Sequence, residues 1–188
     1  MTEKNILNEA IVNFFSGKKE YRSLRNFWEG DVKIQYSDGL EQTRVYASGE
    51  HCFHGEKYVR LGEMCNDQRR KEILLEHGKT FMKPSLCKNG KEAKKMGRSL
   101  LLTEAELNCW STISIEVQKE ICRWKFENYQ EVRYDLMKSG NKILVHPAMR
   151  CSIEKIGKRF WEGKAILKDG EVIVLGKNML GNLWMALR

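Results

Sequence analysis

One stretch of the sequence decides the fold and the chemistry around it: Ser48-Gly49-Glu50-His51-Cys52-Phe53-His54-Gly55-Glu56-Lys57-Tyr58. Ser48 is a favoured helix N-cap, and we predict a helix after Gly49. Glu50 and Lys57 lie about two helical turns apart, so they share nearly the same face, with Phe53 and His54 between them. This stripe of carboxylate, imidazole, aromatic ring and ammonium favours the wall of a pocket. A solvated charged face is the alternative that spacing leaves open.

The sequence before this helix predicts a small antiparallel sheet. Residues 32–36 alternate apolar and polar side chains and are followed by Asp38-Gly39, a favoured hairpin turn. Residues 43–46 supply the second strand, which delivers the chain to the predicted helix. Further upstream, residues 13–16 are typical of a short strand or its end.

The sequence after this helix predicts a long helix that begins with a capping box. Thr103 is the expected N-cap, and Glu106 would reach back to the backbone of Thr103. Val117, Ile121 and Trp124 recur at the spacing of one helix face, which indicates a stripe that faces the core.

The last third of the chain predicts two more helices and three strands. A helix over residues 130–139 would end at Gly140 and bury three side chains, those of Val132, Leu136 and Met137. Residues 142–145 are typical of a short buried strand. Asp169-Gly170 joins two further strands in a predicted hairpin. The final helix begins near Asn178.

Composition predicts one domain over residues 1–188. The chain has 188 residues, 41% of them apolar, and only two prolines, which argues against an internal linker. No apolar run approaches the roughly 20 residues that cross a bilayer, and the N-terminus lacks the features of a signal peptide. We therefore expect a cytoplasmic protein that makes no contact with a membrane. Its protein partners stay undefined.

Six cysteines occur singly, without the close pairs typical of structural zinc sites. We therefore expect reduced thiols, no metal and no cofactor. The formal net charge of +8 favours phosphate-bearing ligands, including nucleic acid, although it is also compatible with any soluble basic protein. Residues 66–90 are rich in Lys, Arg and Glu, and this segment would hold a polyanion or be merely solvated.

The stripe also resembles a family signature. Glu50, His51, Phe53 and Lys57 form Glu-His-x-Phe-x-x-x-Lys, which is similar to the signature of the NADAR (YbiA-like) superfamily of N-glycosidases. Further similar blocks occur in family order from about residue 11 to the C-terminal residue. They are residues 11–16, Leu24-Arg25-Asn26-Phe27, Lys95-Met96-Gly97-Arg98, Trp110, Lys125-Phe126, Trp161 and Gly176-Lys177-Asn178-Met179-Leu180-Gly181 with Leu183, Met185 and Arg188.

The resemblance implies a compact α+β domain, largely helical, with a small antiparallel sheet and one pocket. It also implies hydrolysis of an N-glycosidic bond in one of two substrate classes. These are ADP-ribosylated guanine and the phosphorylated, aminated intermediates of riboflavin synthesis. The positive charge favours the first, so the expected partner is ADP-ribosylated nucleic acid or an ADP-ribose-like small molecule. A non-catalytic module that binds ADP-ribose or NAD is a third possibility.

Glu50 and Lys57 are the predicted catalytic residues. Cleavage of an N-glycosidic bond builds positive charge at the anomeric carbon, which a nearby carboxylate stabilises. A lysine whose pKa is lowered by partial burial can form a Schiff base with an aldehyde-equivalent carbon. The resemblance implies this role for Lys57, and a simple counter-charge is the alternative.

Other side chains are predicted to bind the substrate. Aromatic rings would stack on a base or wall the pocket, an amide would bond a ribose hydroxyl or a base edge, and an arginine would bind phosphate. Packing in the core is the alternative for the aromatic residues, and a surface salt bridge is the alternative for Arg98. Backbone N–H groups of Gly176-Lys177-Asn178, at the start of a helix, would point at an anion. The predicted substrate-binding residues are Phe15, Asn26, Phe27, His54, Arg98, Trp161, Gly176, Lys177 and Asn178.

The segment over residues 66–90 is longer than the corresponding connection of the family, which implies a basic insertion. The sequence also departs from the family pattern at three positions. His146 and Lys158 stand where the family usually has acidic residues, and Glu162 replaces a glycine. These changes put the choice of substrate and the second proton-transfer group in doubt. Glu154 or Glu162 would be the candidates for a displaced carboxylate.

Overall fold

A computed structural model describes residues 2–14, 20–35, 43–149 and 151–188. These residues form a 3-10 turn at Arg22–Leu24 and fourteen helices and strands. In chain order they are α1 (Glu3–Ala10), β1 (Ile11–Asn13), β2 (Glu29–Gln35), β3 (Thr43–Ser48), α2 (Gly49–Glu63), α3 (Gln68–Lys79), α4 (Gly90–Met96), α5 (Glu104–Asn128), α6 (Gln130–Lys138), β4 (Ile143–Val145), α7 (Ile153–Ile156), β5 (Lys164–Lys168), β6 (Glu171–Leu175) and α8 (Met179–Leu187).

The predicted α+β, largely helical fold class is confirmed. Within the described residues the strands form three two-stranded sheets, of which β2–β3 and β5–β6 are antiparallel and β1–β4 is parallel. No helix in these ranges has both the length and the apolar composition that crossing a membrane requires.

The chain divides into two compact units. The α2 unit comprises Asn26–Glu127, and the α8 unit comprises Met1–Arg25 together with Asn128–Arg188. A single domain over residues 1–188, with an insertion at 66–90, stays a prediction.

In the α2 unit, the β2–β3 pair leads directly into α2, as the sequence predicted. Val32 pairs with Tyr46 and Gln35 with Thr43, while the predicted turn at Asp38-Gly39 lies outside the described residues. The apolar core of the unit takes side chains from the sheet and from α2, α3 and α5. Its buried members are Val32, Ile34, Tyr46, Cys52, Tyr58, Leu61, Leu74, Phe81, Cys87, Ala93, Val117 and Ile121.

Helix α2 is buried on most of its surface, with twelve of its fifteen residues buried. It packs closely on β3 because residue 55 is a glycine. A Cβ atom there would lie 2.5 Å from the ring of Tyr46, which no side chain tolerates. A helix buried in this way also places polar side chains inside the protein, and these need partners.

Glu56 is the fully buried acid of α2. Arg44 donates to its two carboxylate oxygens at 2.7 and 2.9 Å, and the hydroxyl of Tyr46 and the Nε of Arg60 donate at 2.7 and 2.9 Å. Burial alone would raise the pKa of Glu56, but these donors, above all Arg44, hold it below its usual value. Since Arg44 and Tyr46 belong to β3, the cluster anchors α2 to that strand.

The insertion predicted at residues 66–90 contains α3, which is capped by the Asp67 side chain. Arg70 of this helix donates to both carboxylate oxygens of Glu106, at 2.7 and 2.8 Å. Glu106 also accepts a bond from the backbone N–H of Thr103 at 2.7 Å, and its own N–H donates to the Thr103 hydroxyl at 3.2 Å. The predicted capping box is therefore confirmed, and Arg70 ties α3 to it.

In the α8 unit, the parallel pair of β1 and β4 aligns Ile11 with Ile143 and Asn13 with Val145. The β5–β6 hairpin turns at Asp169 and Gly170, whose φ angles of 52° and 84° are those of the predicted tight turn. The buried apolar side chains of this unit are Ile11, Val12, Phe14, Leu24, Val132, Leu136, Leu144, Val145, Ile156, Leu180, Leu183 and Trp184.

Helix α6 corrects one detail of the prediction. Val132 and Leu136 are buried as expected, and the chain turns at Gly140 with φ 52°. Met137, however, is 80% exposed, because it follows Leu136 by one residue and therefore faces a different side of the helix. The placement of Met137 inside was wrong.

Candidate active site

The first turn of α2 is held by Asn26. Its carbonyl oxygen accepts the backbone N–H of Glu50 at 2.8 Å. The side-chain amides of Asn26 and Gln118 bond each other reciprocally, at 2.7 and 3.0 Å. Ser48 caps the helix as predicted, and the helix dipole favours the Glu50 carboxylate in the first turn. Asn26 therefore positions Glu50 through the backbone.

The predicted stripe is confirmed as a buried face. Glu50, His54 and Lys57 are 7%, 9% and 9% exposed, which is incompatible with a solvated charged face. The Nε2 atom of His54 lies 3.3 Å from Oε1 of Glu50. Three titratable side chains thus line one side of a single helix.

Gly97, directly after α4, covers this stripe with its backbone. Its carbonyl oxygen accepts Nζ of Lys57 at 2.5 Å and the hydroxyl of Tyr58 at 3.0 Å. Its Cα approaches the His54 ring so closely that a Cβ would lie 2.2 Å from Nδ1. Only glycine fits here, which gives the Met-Gly-Arg block of the sequence a physical reason.

The amine of Lys57 has a pKa lowered to about 8, first by burial and second by the charge of Arg98. More of this amine is therefore unprotonated near neutral pH than of an ordinary lysine, and nucleophilic attack requires the unprotonated form. In the unfolded chain the amine of Lys57 has its ordinary pKa of 10.5 and stays protonated up to about that pH. The contribution of Lys57 to the free energy of unfolding therefore rises as pH increases from about 8 toward 10.5.

Phe27 and Arg98 lie at the two ends of α4. The ring of Phe27 packs against Gly90, where a Cβ would lie 2.7 Å from its edge, and Nζ of Lys94 lies 5.5 Å from its centroid. Arg98 is exposed and follows the carbonyl that holds Lys57. Its guanidinium is accessible to a ligand phosphate.

The rationale for anion binding at the start of α8 is wrong. The four N–H groups from Lys177 to Leu180 donate to the carbonyl oxygens of residues 159–162, at 2.9 to 3.4 Å. They hold the segment that carries Trp161 and do not point at a ligand. Gly176 allows this approach, because its φ angle of 81° favours glycine. A Cβ on this residue would lie only 2.7 Å from the carbonyl oxygen of Glu162, which is too close.

Asn178 joins α8 to the end of β4. Its Oδ1 accepts the N–H of His146 at 3.0 Å, and its Nδ2 donates to the carbonyl oxygen of Leu144 at 2.8 Å. The residue is 3% exposed and has φ 46°, a conformation that asparagine tolerates. Both polar atoms of its side chain are therefore used within the fold.

The residues that depart from the family pattern also lie in the α8 unit. The His146 ring stacks on Phe14 with 5.6 Å between centroids. An oxygen of Glu162 lies 3.6 Å from Nε of Arg159, while Glu154 and Lys158 are exposed. The second proton-transfer group stays a prediction.

The predicted site residues thus fall into two sets. Asn26, Phe27, Glu50, His54, Lys57 and Arg98 lie in the α2 unit, and Trp161, Gly176, Lys177 and Asn178 lie in the α8 unit. Phe15 lies outside the described residues. Substrate binding by these residues stays a prediction.

Three contributors to the α2-unit site were missed by the sequence reasoning. Tyr58 ends the stretch that begins at Ser48, and its position next to Lys57 could have indicated a role in the site. Gly97 lies in the Lys95–Arg98 block. Gln118 had no such signal, because its partner lies 92 positions away.

All six cysteines are free thiols, and three of them, Cys52, Cys87 and Cys122, are buried. Across the described ranges, no group of three or more His, Cys, Asp or Glu side chains is arranged to hold a metal ion.

Fold and site together define a largely helical α+β protein with a buried acid and a buried amine on one helix. The NADAR domain model matches residues 13–188, and the chain belongs to this family. N-glycosidase YbiA of Escherichia coli (strain K12) and of Shigella sonnei (strain Ss046) are each 25% identical over 185 residues, covering 98% of this chain and 91% of theirs. The NMR structure of E. coli YbiA matches with a TM-score of 0.55 and 25% identity, covering 95% of this chain and 83% of that one.

Replacing Arg98 by Gln should raise the pKa of Lys57 above about 8, because the charge of Arg98 is the second cause of its lowering. Burial, the larger cause, remains, so the value should stay below 10.5. Competitive acetylation across pH, read by mass spectrometry of the Lys57 peptide, measures this pKa. Arg123→Gln removes an exposed charge from α5 and should change nothing. An unshifted value in Arg98→Gln would contradict this electrostatic coupling.

Proposed function

We propose that this protein is an N-glycosidase that removes ADP-ribose from ADP-ribosylated guanine in nucleic acid. The observation that carries the proposal is the buried face of α2, where Glu50 and the low-pKa amine of Lys57 lie two turns apart. Relatives that span nearly the whole chain bear the name N-glycosidase, which supports the reaction class.

Glu50 stabilises the cationic transition state in this mechanism. As the bond between the anomeric carbon and the base nitrogen breaks, positive charge develops on the sugar. A carboxylate held by a helix N-terminus and largely shielded from water interacts with this charge more strongly than it would in bulk solvent. Glu50 has this environment, with 7% exposure and its backbone bonded to Asn26.

Lys57 acts as the nucleophile. The bond between the anomeric carbon and the ring oxygen breaks first, the ring oxygen takes a proton, and the electron pair of the base nitrogen forms a C=N bond to that carbon. The neutral amine of Lys57 then adds to the same carbon. The carbon–nitrogen bond to guanine breaks, the base leaves with the electron pair, and the two protons of the amine pass to the base and to solvent. The resulting imine adds one water molecule, which releases the sugar aldehyde and restores the amine. The net reaction consumes one water and yields ADP-ribose and unmodified guanine. The amine must leave the Gly97 carbonyl oxygen to attack.

A polyanionic substrate is supported by where the charge lies. The α8 unit carries sixteen Lys and Arg against nine Asp and Glu, whereas the α2 unit carries seventeen against sixteen. Nearly all of the net charge of +8 therefore belongs to the α8 unit. Such an excess attracts the phosphates of a nucleic acid strand.

The predicted insertion is a weaker candidate for this contact. Of its six Lys and Arg, Arg70 is paired with Glu106, Lys79 with Glu76 and Lys83 with Asp31. These pairs reduce the charge that the insertion offers to a polyanion.

The α8 unit instead combines cations with aromatic rings. Phe160 and Trp161 meet edge to face at 5.1 Å, and Nζ of Lys177 lies 5.8 Å from the Phe160 centroid. Arg159 lies 3.6 Å from Glu162, but its side chain is still 54% exposed, and its carbonyl oxygen accepts the N–H of Lys177. Rings next to exposed cations favour single-stranded nucleic acid, because unstacked bases can lie on the rings.

The reaction is tested by incubating the protein with an ADP-ribosylated guanine oligonucleotide and, separately, with phosphorylated riboflavin intermediates. Released ADP-ribose, measured by mass spectrometry, is the expected result. Glu50→Gln should keep its melting temperature and bind substrate but lose about a hundredfold or more in kcat. Glu104→Gln, an exposed acid on α5, is the matched control. Turnover of the riboflavin intermediates alone would select that function, and no turnover of either would indicate a binding module.

If the α8 unit binds the polynucleotide, Arg159→Gln and Lys177→Gln should each lower affinity for single-stranded DNA and reduce the log–log salt slope by about 0.7. The same neutralisation at Arg69, exposed on α3, should have little effect. Fluorescence anisotropy over a salt series measures both quantities. Weaker DNA binding in Arg69→Gln alone would contradict binding by the α8 unit and indicate that the insertion contacts the polynucleotide.

A further inference from the structure

We infer that His54 is a positioning residue that holds the Glu50 carboxylate through a proton fixed on Nε2. The inference rests on the proposed function, because it assigns His54 to Glu50 and not to the substrate. It differs from the sequence prediction, in which His54 contacts the substrate directly.

The contact between the two side chains is enclosed. Nε2 of His54 lies 3.3 Å from Oε1 of Glu50, and the side chains are only 11% and 9% exposed. Phe53 meets the imidazole edge to face at 5.8 Å, and the Phe81 ring lies at 6.3 Å. These neighbours restrict the rotation of the imidazole and leave it aimed at Glu50.

The opposite nitrogen decides the tautomer. Nδ1 of His54 is buried without a hydrogen-bond partner among the described residues. The backbone of Gly97 closes this side, since a Cβ there would lie 2.2 Å from Nδ1. In the neutral ring, a proton on Nδ1 would have no acceptor, and Nε2 would turn a lone pair toward the carboxylate. The proton therefore belongs on Nε2, where it is donated to Glu50.

This bond has a consequence for catalysis. A hydrogen bond from Nε2 of His54 holds the Glu50 carboxylate in one orientation, so its oxygens need not reorganise when positive charge develops on the sugar. His51, on the same helix, interacts electrostatically with both Glu50 and His54. Gly97 lies against the His54 ring and also accepts a hydrogen bond from Lys57 with its carbonyl oxygen. One residue therefore holds both the imidazole and the amine in place.

Two variants of His54 separate positioning from packing. His54→Gln keeps an N–H donor at the place of Nε2 and should keep most of the kcat. His54→Leu keeps the volume without the donor and should lose about 10- to 100-fold in kcat with little change in KM. Equal activity of His54→Leu and wild type would overturn the inference.

NMR of the imidazole nitrogens tests the same point without turnover. At pH 8.5, His54 of the wild-type protein should show the Nε2–H tautomer, and Glu50→Gln should shift the Nε2 resonance. An Nδ1–H tautomer, or an Nε2 resonance that does not shift in Glu50→Gln, would overturn the inference even if the enzyme is active. An inactive wild-type protein with the expected NMR result would contradict the proposed function and leave the positioning contact standing.

Discussion

Glu56 lies fully buried in the middle of α2 and receives hydrogen bonds from Arg44, Tyr46 and Arg60. A buried carboxylate is stable only when it is paired, and removing one partner of such a cluster costs about 3–5 kcal/mol. Because two of the donors belong to β3, the cluster also sets the rotation of α2 about its axis. Glu50 and Lys57 lie about a third of a turn away around the helix. The face that they share is therefore fixed by the Glu56 cluster.

The second constraint is the backbone at Gly97. A residue without a side chain lets the end of α4 contact α2 directly, so one peptide carbonyl accepts bonds from both Lys57 and Tyr58. The same contact shields Lys57 from solvent and places Arg98 nearby, the two causes of its lowered pKa. The packing of α4 on α2 and the lowered pKa of Lys57 both depend on this one glycine.

Features with a local signal could be predicted from the sequence. The helix after Ser48, the hairpin turn at Asp169-Gly170 and the Thr103 capping box each depend on residues a few positions apart, and each is present in the structure. That Glu50 and Lys57 share one face of α2 could be predicted too, since helical periodicity alone places them together. Spacing left open whether that face is buried.

Features that depend on distant partners could not be predicted. The amides at the start of α8 were expected to be open to an anion, yet carbonyl oxygens of residues 159–162 occupy them. Nothing near Arg70 in the sequence shows that Glu106 neutralises it. Helix α1 was not predicted. The orientation of His54 depends on Gly97, 43 positions further along the chain.

The central claim is that the Lys57 amine bonds covalently to the sugar. Borohydride added during turnover of an ADP-ribosylated oligonucleotide reduces an imine to a stable amine. The account predicts a mass increase on the Lys57 peptide, no such adduct in Lys57→Arg, and loss of turnover in that variant, since arginine keeps the charge without a nucleophilic amine. Near-normal activity of Lys57→Arg with no adduct on the wild-type protein would show that Lys57 is only a counter-charge.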